Sequence, residues 1–199
     1  MSLRLVLTTM AMCLLAACSG NGEKEGVAKQ SGGGTPTQPK TPASAKVAPI
    51  TPAPWNPNAP ITKAQPRLRT LKLLVGEPSR EITAELAITQ QQIATGMMHR
   101  ESMGENEGML FIFAEAKKAA FYMKNTKVPL TVAYLGSSGR IMELHDLEPL
   151  NETAVEAQSD LIRFVLEMPQ GWFKKNGISQ AHKITTERGS LMEVFFPDE

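Results

Sequence analysis

Cysteine is nearly missing from this chain: 199 residues hold two, Cys13 and Cys18, with none after them. From Ser19 onward no disulfide, cysteine nucleophile or thiolate metal site is possible. The folded part must rest on its hydrophobic core alone. Also missing are a Gly-rich phosphate loop, a His-x-x-x-His pair and a Gly-x-Ser-x-Gly elbow. Ser102, Ser137 and Ser138 stand in no motif that would activate them, so an ordinary hydrolase is disfavoured. No basic stripe is present either. From Arg67 to Glu199 the chain carries fifteen Lys/Arg against eighteen Asp/Glu, which speaks against nucleic acid as a partner.

What is present begins with an address. MSLRLVLTTMAMCLLAACSG has one cation at Arg4, an apolar run from Leu5 to Leu15 and small residues before Cys18. The run is too short to span a bilayer and reads as a secretory signal over residues 1–17. Leu15-Ala16-Ala17-Cys18 resembles the lipobox of bacterial lipoproteins. That resemblance implies cleavage before Cys18, which then carries a diacylglyceryl group and an N-acyl chain, enough for stable anchoring. Ser19 after the cysteine resembles the pattern that sorts lipoproteins to the outer membrane, on its periplasmic side.

From Ser19 to Pro66, GGG is followed by a Pro-rich stretch. Such a segment buries too little apolar surface to offset its ordering entropy, so residues 18–66 are expected to form a disordered tether containing Trp55. As a coil the 48 residues from Ser19 to Pro66 span about 40 Å, and as extended polyproline ~150 Å. One domain is left, 67–199, within the usual single-domain range.

Along that domain, residues 69–75 and 81–88 read as strands about the turn Gly76-Glu77-Pro78-Ser79. Thr89 and Gln92 form a capping-box pattern for a helix over 90–98. Strands are expected over 108–113, 121–125, 130–135, 140–147, 161–168, 183–186 and 191–196, with one helical turn over 171–176 ended by Gly177. Gly136-Ser137-Ser138-Gly139 is a four-residue hairpin loop. The pattern predicts an α+β fold: a compact β-rich domain, barrel-like or a strongly curved sheet, with two or three short helices.

GMMHRESMGENEGMLFIF, FYMKNTKVPLTVAYL, GRIMELHDL and RFVLEMPQGWFKKNGI together resemble the domain of unknown function 192 family over roughly residues 81–184. The resemblance implies a small β-rich domain, often exported or lipid-anchored, and carries over no activity or substrate. Two departures stand out. Thr131 follows Pro129-Leu130 where the family usually has an acid, and Gln180-Ala181-His182 replaces an expected Gly-Asp pair.

Three constellations are candidates for chemistry. Lys124 and Asn125 sit inside an apolar stretch; the ammonium and amide, with Arg100 as a second cation, would hold an anionic or carbonyl-bearing ligand at a cleft mouth. The structural alternative is that Asn125 ends the strand in an Asx-type turn while Lys124 reaches water. Glu143 and His145, two apart on one strand, share a face about 6 to 7 Å apart and suit acid–base work or half a metal site. Asp146 points the other way, and Arg163 and Glu167, on a polar strand face with Val165, are possible partners. Met98, His99 and Met103 form a soft-ligand alternative for Cu(I), against which stands the ordinary use of Met as core filler.

The sequence therefore reads as an envelope lipoprotein carrying a binding or accessory module for a small anionic ligand or a protein partner, monomeric and without a cofactor. An enzyme with a Lys/Asn/Glu/His pocket, or metal handling through Met and His, are the alternatives.

Overall fold

A computed structural model describes residues 56–199. The signal, Cys18 and Trp55 lie outside the described residues. Ten strands are found: β1 (Thr70–Val75), β2 (Arg80–Ala87), β3 (Glu107–Lys117), β4 (Ala120–Phe121), β5 (Leu130–Leu135), β6 (Ile141–Leu147), β7 (Val155–Glu156), β8 (Ile162–Pro169), β9 (Ile184–Thr186) and β10 (Gly189–Ser190). Three short helices accompany them, α1 (Gln90–Thr95), α2 (Trp172–Lys175) and α3 (Leu191–Phe195). The expected α+β, β-rich class is what the chain forms.

Eight strands join one mixed sheet in the order β10-β9-β1-β2-β3-β8-β5-β6, and β4 pairs with β7 apart from it. Within the large sheet only β2 and β3 run parallel, because α1 carries the chain from the end of one back to the start of the other. The ladder does not close, yet its margins are laced together. The Ile141 amide donates to the His182 carbonyl (2.9 Å), the Ile184 amide to the Gly139 carbonyl (2.9 Å), and Arg140 bridges Lys183. Gly139 has φ +74, and any Cβ there would run into the Ile184 carbonyl, so the seam requires glycine.

Local chemistry explains most of the elements. The hydroxyl of Thr89 accepts the Gln92 amide while the Gln92 side chain accepts the Thr89 amide, the reciprocal cap foreseen. Gly96 then ends α1 at Thr95, short of the expected 98. Two expectations are corrected. The segment expected as a strand over 191–196 instead forms the helix α3 (Leu191–Phe195), since Ser190 and Glu193 make a second capping box that outweighs the β-propensity of Val194 and Phe195. In 121–125 only Phe121 is strand; the Thr126 amide turns back to the Met123 carbonyl (3.0 Å) and Asn125 takes φ +53, a left-handed conformation that Asn tolerates well.

The sheet has a core on each face. One cluster joins Leu73, Ile82, Leu110, Leu135, Phe164 and Leu166 with Trp172 and Phe173 of α2 and Leu191 of α3. It includes Ile141 and Ile184 from the two laced margins, which makes it the enclosed side of the curl. The opposite cluster contains Met109, Phe111, Val132, Tyr134 and Val165 beneath Met97, Ala119 and Met123. This second face holds the polar groups of interest.

Candidate functional site

Strand register places one row across the second face: Glu85 on β2, Met109 on β3, Glu167 on β8, Val132 on β5 and His145 on β6. The adjacent row runs through Ala87, Phe111, Val165, Tyr134 and Glu143. Three buried glutamates thus share a face, and each meets a different environment.

Glu85 is fully committed. Arg100 grips both its oxygens (3.1 and 2.9 Å), and Arg67 and the Leu68 amide each approach to 2.7 Å. Burial raises the Glu85 carboxyl, but these donors outweigh it and hold the group below its ordinary range. Arg100 is itself buried, so this cation, expected at a ligand site, neutralises an internal carboxylate instead.

Glu143 is also satisfied. Its Oε2 lies 3.0 Å from His145 Nε2, and its Oε1 accepts the amides of Gln158 (2.9 Å) and Ser159 (3.4 Å). Burial pushes this carboxyl up, and the imidazole and the two amides bring it net below the usual value. The His145 ring leans on Tyr134 at 5.7 Å between centroids, and the Tyr134 hydroxyl donates to the Val155 carbonyl (2.5 Å). The expected Glu143–His145 pair is therefore formed, and it also ties the 155–159 segment to β6.

Glu167 has no such help. It is 4 % exposed, its Oε2 is buried without a hydrogen-bond partner, and burial alone pushes it up to about 8. At neutral pH it is an uncharged carboxylic acid able to donate a proton. It lies at the floor of a cleft of about 290 Å³ walled by Ile93 and Met98 on one side and by Phe111, Phe113, Phe121 and Tyr122 on the other. Lys117 and Lys118 also line it: the Lys117 ammonium sits 4.0 Å above the Phe113 ring centroid, and Lys118 pairs with Glu156 at 2.8 Å.

The other expected site residues are dispersed. Lys124, half exposed, stands 3.6 Å from Glu152, and the Asn125 carbonyl accepts the His99 amide (2.8 Å). Neither lines the cleft with Glu167, and neither do Glu143 or His145. Arg163 and Glu167 do not share a polar face. A register irregularity in β3 opposite the start of β8 puts Ile162 in one core and Phe164 in the other. Arg163 then lies over Phe196 (3.9 Å) and bonds Glu199 (2.8 Å). The Met98/His99/Met103 set is split: Met98 is buried in the wall of the Glu167 cleft, Met103 lines a different depression beside Glu85, and His99 Nε2 bonds the Ile61 carbonyl (2.8 Å). Among the described residues no group of three or more His, Cys, Asp or Glu is arranged to hold a metal.

Lys117 and Lys118 are not among the residues expected from sequence, and Glu167 is expected there only as a pairing partner on a polar strand face. The available signal was Glu167 itself, the lone polar residue within Phe164–Met168, and the lysine pair closing a strand that begins with a long apolar run. At the first departure from the family pattern, the Thr131 hydroxyl donates to its cross-strand neighbour Asp146 (2.5 Å) and accepts the Gly171 amide (3.2 Å). At the second, Ala181 adopts φ +74, where glycine is favoured.

Residues 72–186 match DUF192, described as "Uncharacterized ACR". The chain belongs to the DUF192 family. A solved structure from Sinorhizobium meliloti 1021, described as a "putative transcription regulator", is 28% identical with a TM-score of 0.58, covering 61% of this chain and 97% of that one. A protein of unknown function from Novosphingobium aromaticivorans DSM 12444 is 30% identical with a TM-score of 0.57, covering 59% of this chain and 86% of the other. No curated protein matches this DUF192 chain.

Proposed function

We propose that this DUF192 protein is a lipid-anchored binding module of the bacterial envelope, tethered through Cys18 and taking a small ligand into the cleft above Glu167. One observation carries the reading: a carboxyl buried in the middle of a central strand, unpartnered, lining a cleft whose walls are mostly apolar and aromatic side chains with Lys117 and Lys118 among them. A buried polar group without a partner costs about 1–3 kcal/mol. A ligand in the cleft is one way to supply the missing partner.

Arg100 and Lys124, the cations expected to hold an anionic ligand, do not line the cleft; the ammonium groups that do are Lys117, over the Phe113 ring, and Lys118, paired with Glu156. Regulator vocabulary stays with the Sinorhizobium protein, because fifteen basic against eighteen acidic residues give this domain no basic surface for DNA. The lipid anchor is a proposal resting on Leu15-Ala16-Ala17-Cys18.

The test is native against denaturing mass spectrometry of the full chain released from an envelope preparation. A small-molecule mass present in the native state, lost on denaturation and lost from an Ala94→Trp variant that obstructs the cleft, is the expected result. Identical native and denatured masses, together with no small molecule shifting the thermal midpoint in a library screen, refute the reading.

A further inference from the structure

Granting that the cleft binds a ligand, its walls and floor select the head group. We propose that the ligand combines an apolar body with an uncharged hydrogen-bond-accepting head, a ketone, ester or amide, which accepts the proton of Glu167.

Of the side chains lining the cleft, Glu167 is the one with a buried polar atom left without a partner. Glu167 has no cation within hydrogen-bond reach, and its strand neighbours at this level are Met109 and Val132, which offer no side-chain donor. A ligand bringing a protonated amine would have to pass Lys117 and Lys118. It would also have to create a buried ion pair in which the desolvation of two charges opposes their attraction. The aromatic face that would best greet such a cation, Phe113, already has the Lys117 ammonium 4.0 Å above it. A carbonyl oxygen meets none of these obstacles. It accepts the carboxyl proton and leaves the buried site uncharged. The remaining walls, Ile93, Met98, Phe111 and Phe121, take an apolar body. Size fits as well, since an apolar cavity of roughly 150 Å³ holds a benzene ring, and about 290 Å³ is available here.

Burial raises Glu167 to about 8, so the donor form dominates at neutral pH and disappears in mild alkali. The charged and titratable groups facing it are Lys117 and Lys118 at the end of β3, Tyr134 on β5, and, further along its row, His145 on β6 and the Glu85–Arg100 pair. Tyr134 is driven well above its ordinary value by burial and stays protonated throughout the window of interest. A Glu167→Gln variant retains every one of these groups and keeps an N–H donor on the floor, so it isolates the carboxyl.

The experiment uses two probes with the same body and different heads, 2-acetylnaphthalene and 2-(aminomethyl)naphthalene. Both are titrated by equilibrium dialysis into the full chain held in lipid nanodiscs, with empty nanodiscs as the blank. If only the protonated carboxyl binds, affinity for the ketone falls about tenfold from pH 6.5 to pH 9.0. That loss is expected in the native chain, with a flat profile in Glu167→Gln and weaker binding of the amine at every pH. Ketone affinity that is flat with pH in the native chain, or an amine that binds more tightly than the ketone, overturns the head-group assignment while leaving the cleft a ligand site. Binding of neither probe above the blank overturns the assignment together with the reading beneath it.

Discussion

Replacing Glu167 by Gln is expected to stabilise the protein, and by an amount that depends on pH. Glu167 has an ordinary value of 4.5 and a folded value of about 8. Below pH 4.5 both the folded and the unfolded chain carry the proton, and the substitution changes little. Between the two values the unfolded chain releases a proton that the folded chain retains, so wild-type stability declines as pH rises. Each unit is worth about 1.4 kcal/mol. The deficit therefore reaches about 3 kcal/mol at pH 7 and levels off near 5 kcal/mol above pH 8, a large share of the 5–15 kcal/mol typical of a domain. Gln has nearly the same shape and also leaves a polar end group buried, so the difference between the two proteins isolates ionisation. Urea unfolding of both at pH 4.5, 7 and 8.5 reads it directly. Equal stability at pH 7, or a gain that does not grow from pH 4.5 to 8.5, would refute the claim that this carboxyl is buried uncharged.

Arg100 and Glu143 supply two more outcomes. Arg100→Leu strands the Glu85 carboxylate with half-exposed partners and is expected to cost about 3–5 kcal/mol in urea unfolding, while the double variant Arg100→Leu/Glu85→Leu recovers most of the loss. Were Arg100 a ligand residue, the single variant would fold normally. Glu143→Gln removes a carboxylate that accepts from His145 and two amides, for a loss of about 1–3 kcal/mol at pH 7. Because its folded value is depressed, the native contribution is present above the ordinary carboxylate range and fades as pH falls through the folded value. The gap between variant and wild type should accordingly shrink as pH falls below the ordinary carboxylate range; a gap that persists in acid would count against the hydrogen bonds assigned to the Glu143 carboxylate.

Much of the fold could be read without coordinates because the deciding forces are local. The strand-forming residues of 70–75 and 130–135, the Thr89–Gln92 cap and the turn at 136–139 each act within a few residues; the two strands and the helix start formed where expected, while α1 stopped at Thr95. One miss was also local: Ser190-x-x-Glu193 announced a helix that β-propensity concealed, whereas the turn at Asn125 formed as its structural alternative anticipated, with the strand before it ending already at Phe121.

The site was another matter. Glu143 and His145 were found because a spacing of two within one strand fixes their common face. Glu167 was read as half of a polar face, since nothing in RFVLEMP tells a central strand from one whose second face meets water. Only the order β3-β8-β5, with α1 and β4 laid over that face, takes the last water from its carboxyl. The same packing spends Arg100 on Glu85, a partner fifteen residues away that no periodicity connects to it. Sequence by itself determined most of the strands, the caps and the cysteine-free core, set by bonds and sterics between near neighbours. Tertiary structure alone decided which charges are neutralised and which one is left unpaired, because desolvation and Coulomb energy depend on what lies across the sheet and not on what lies along the chain.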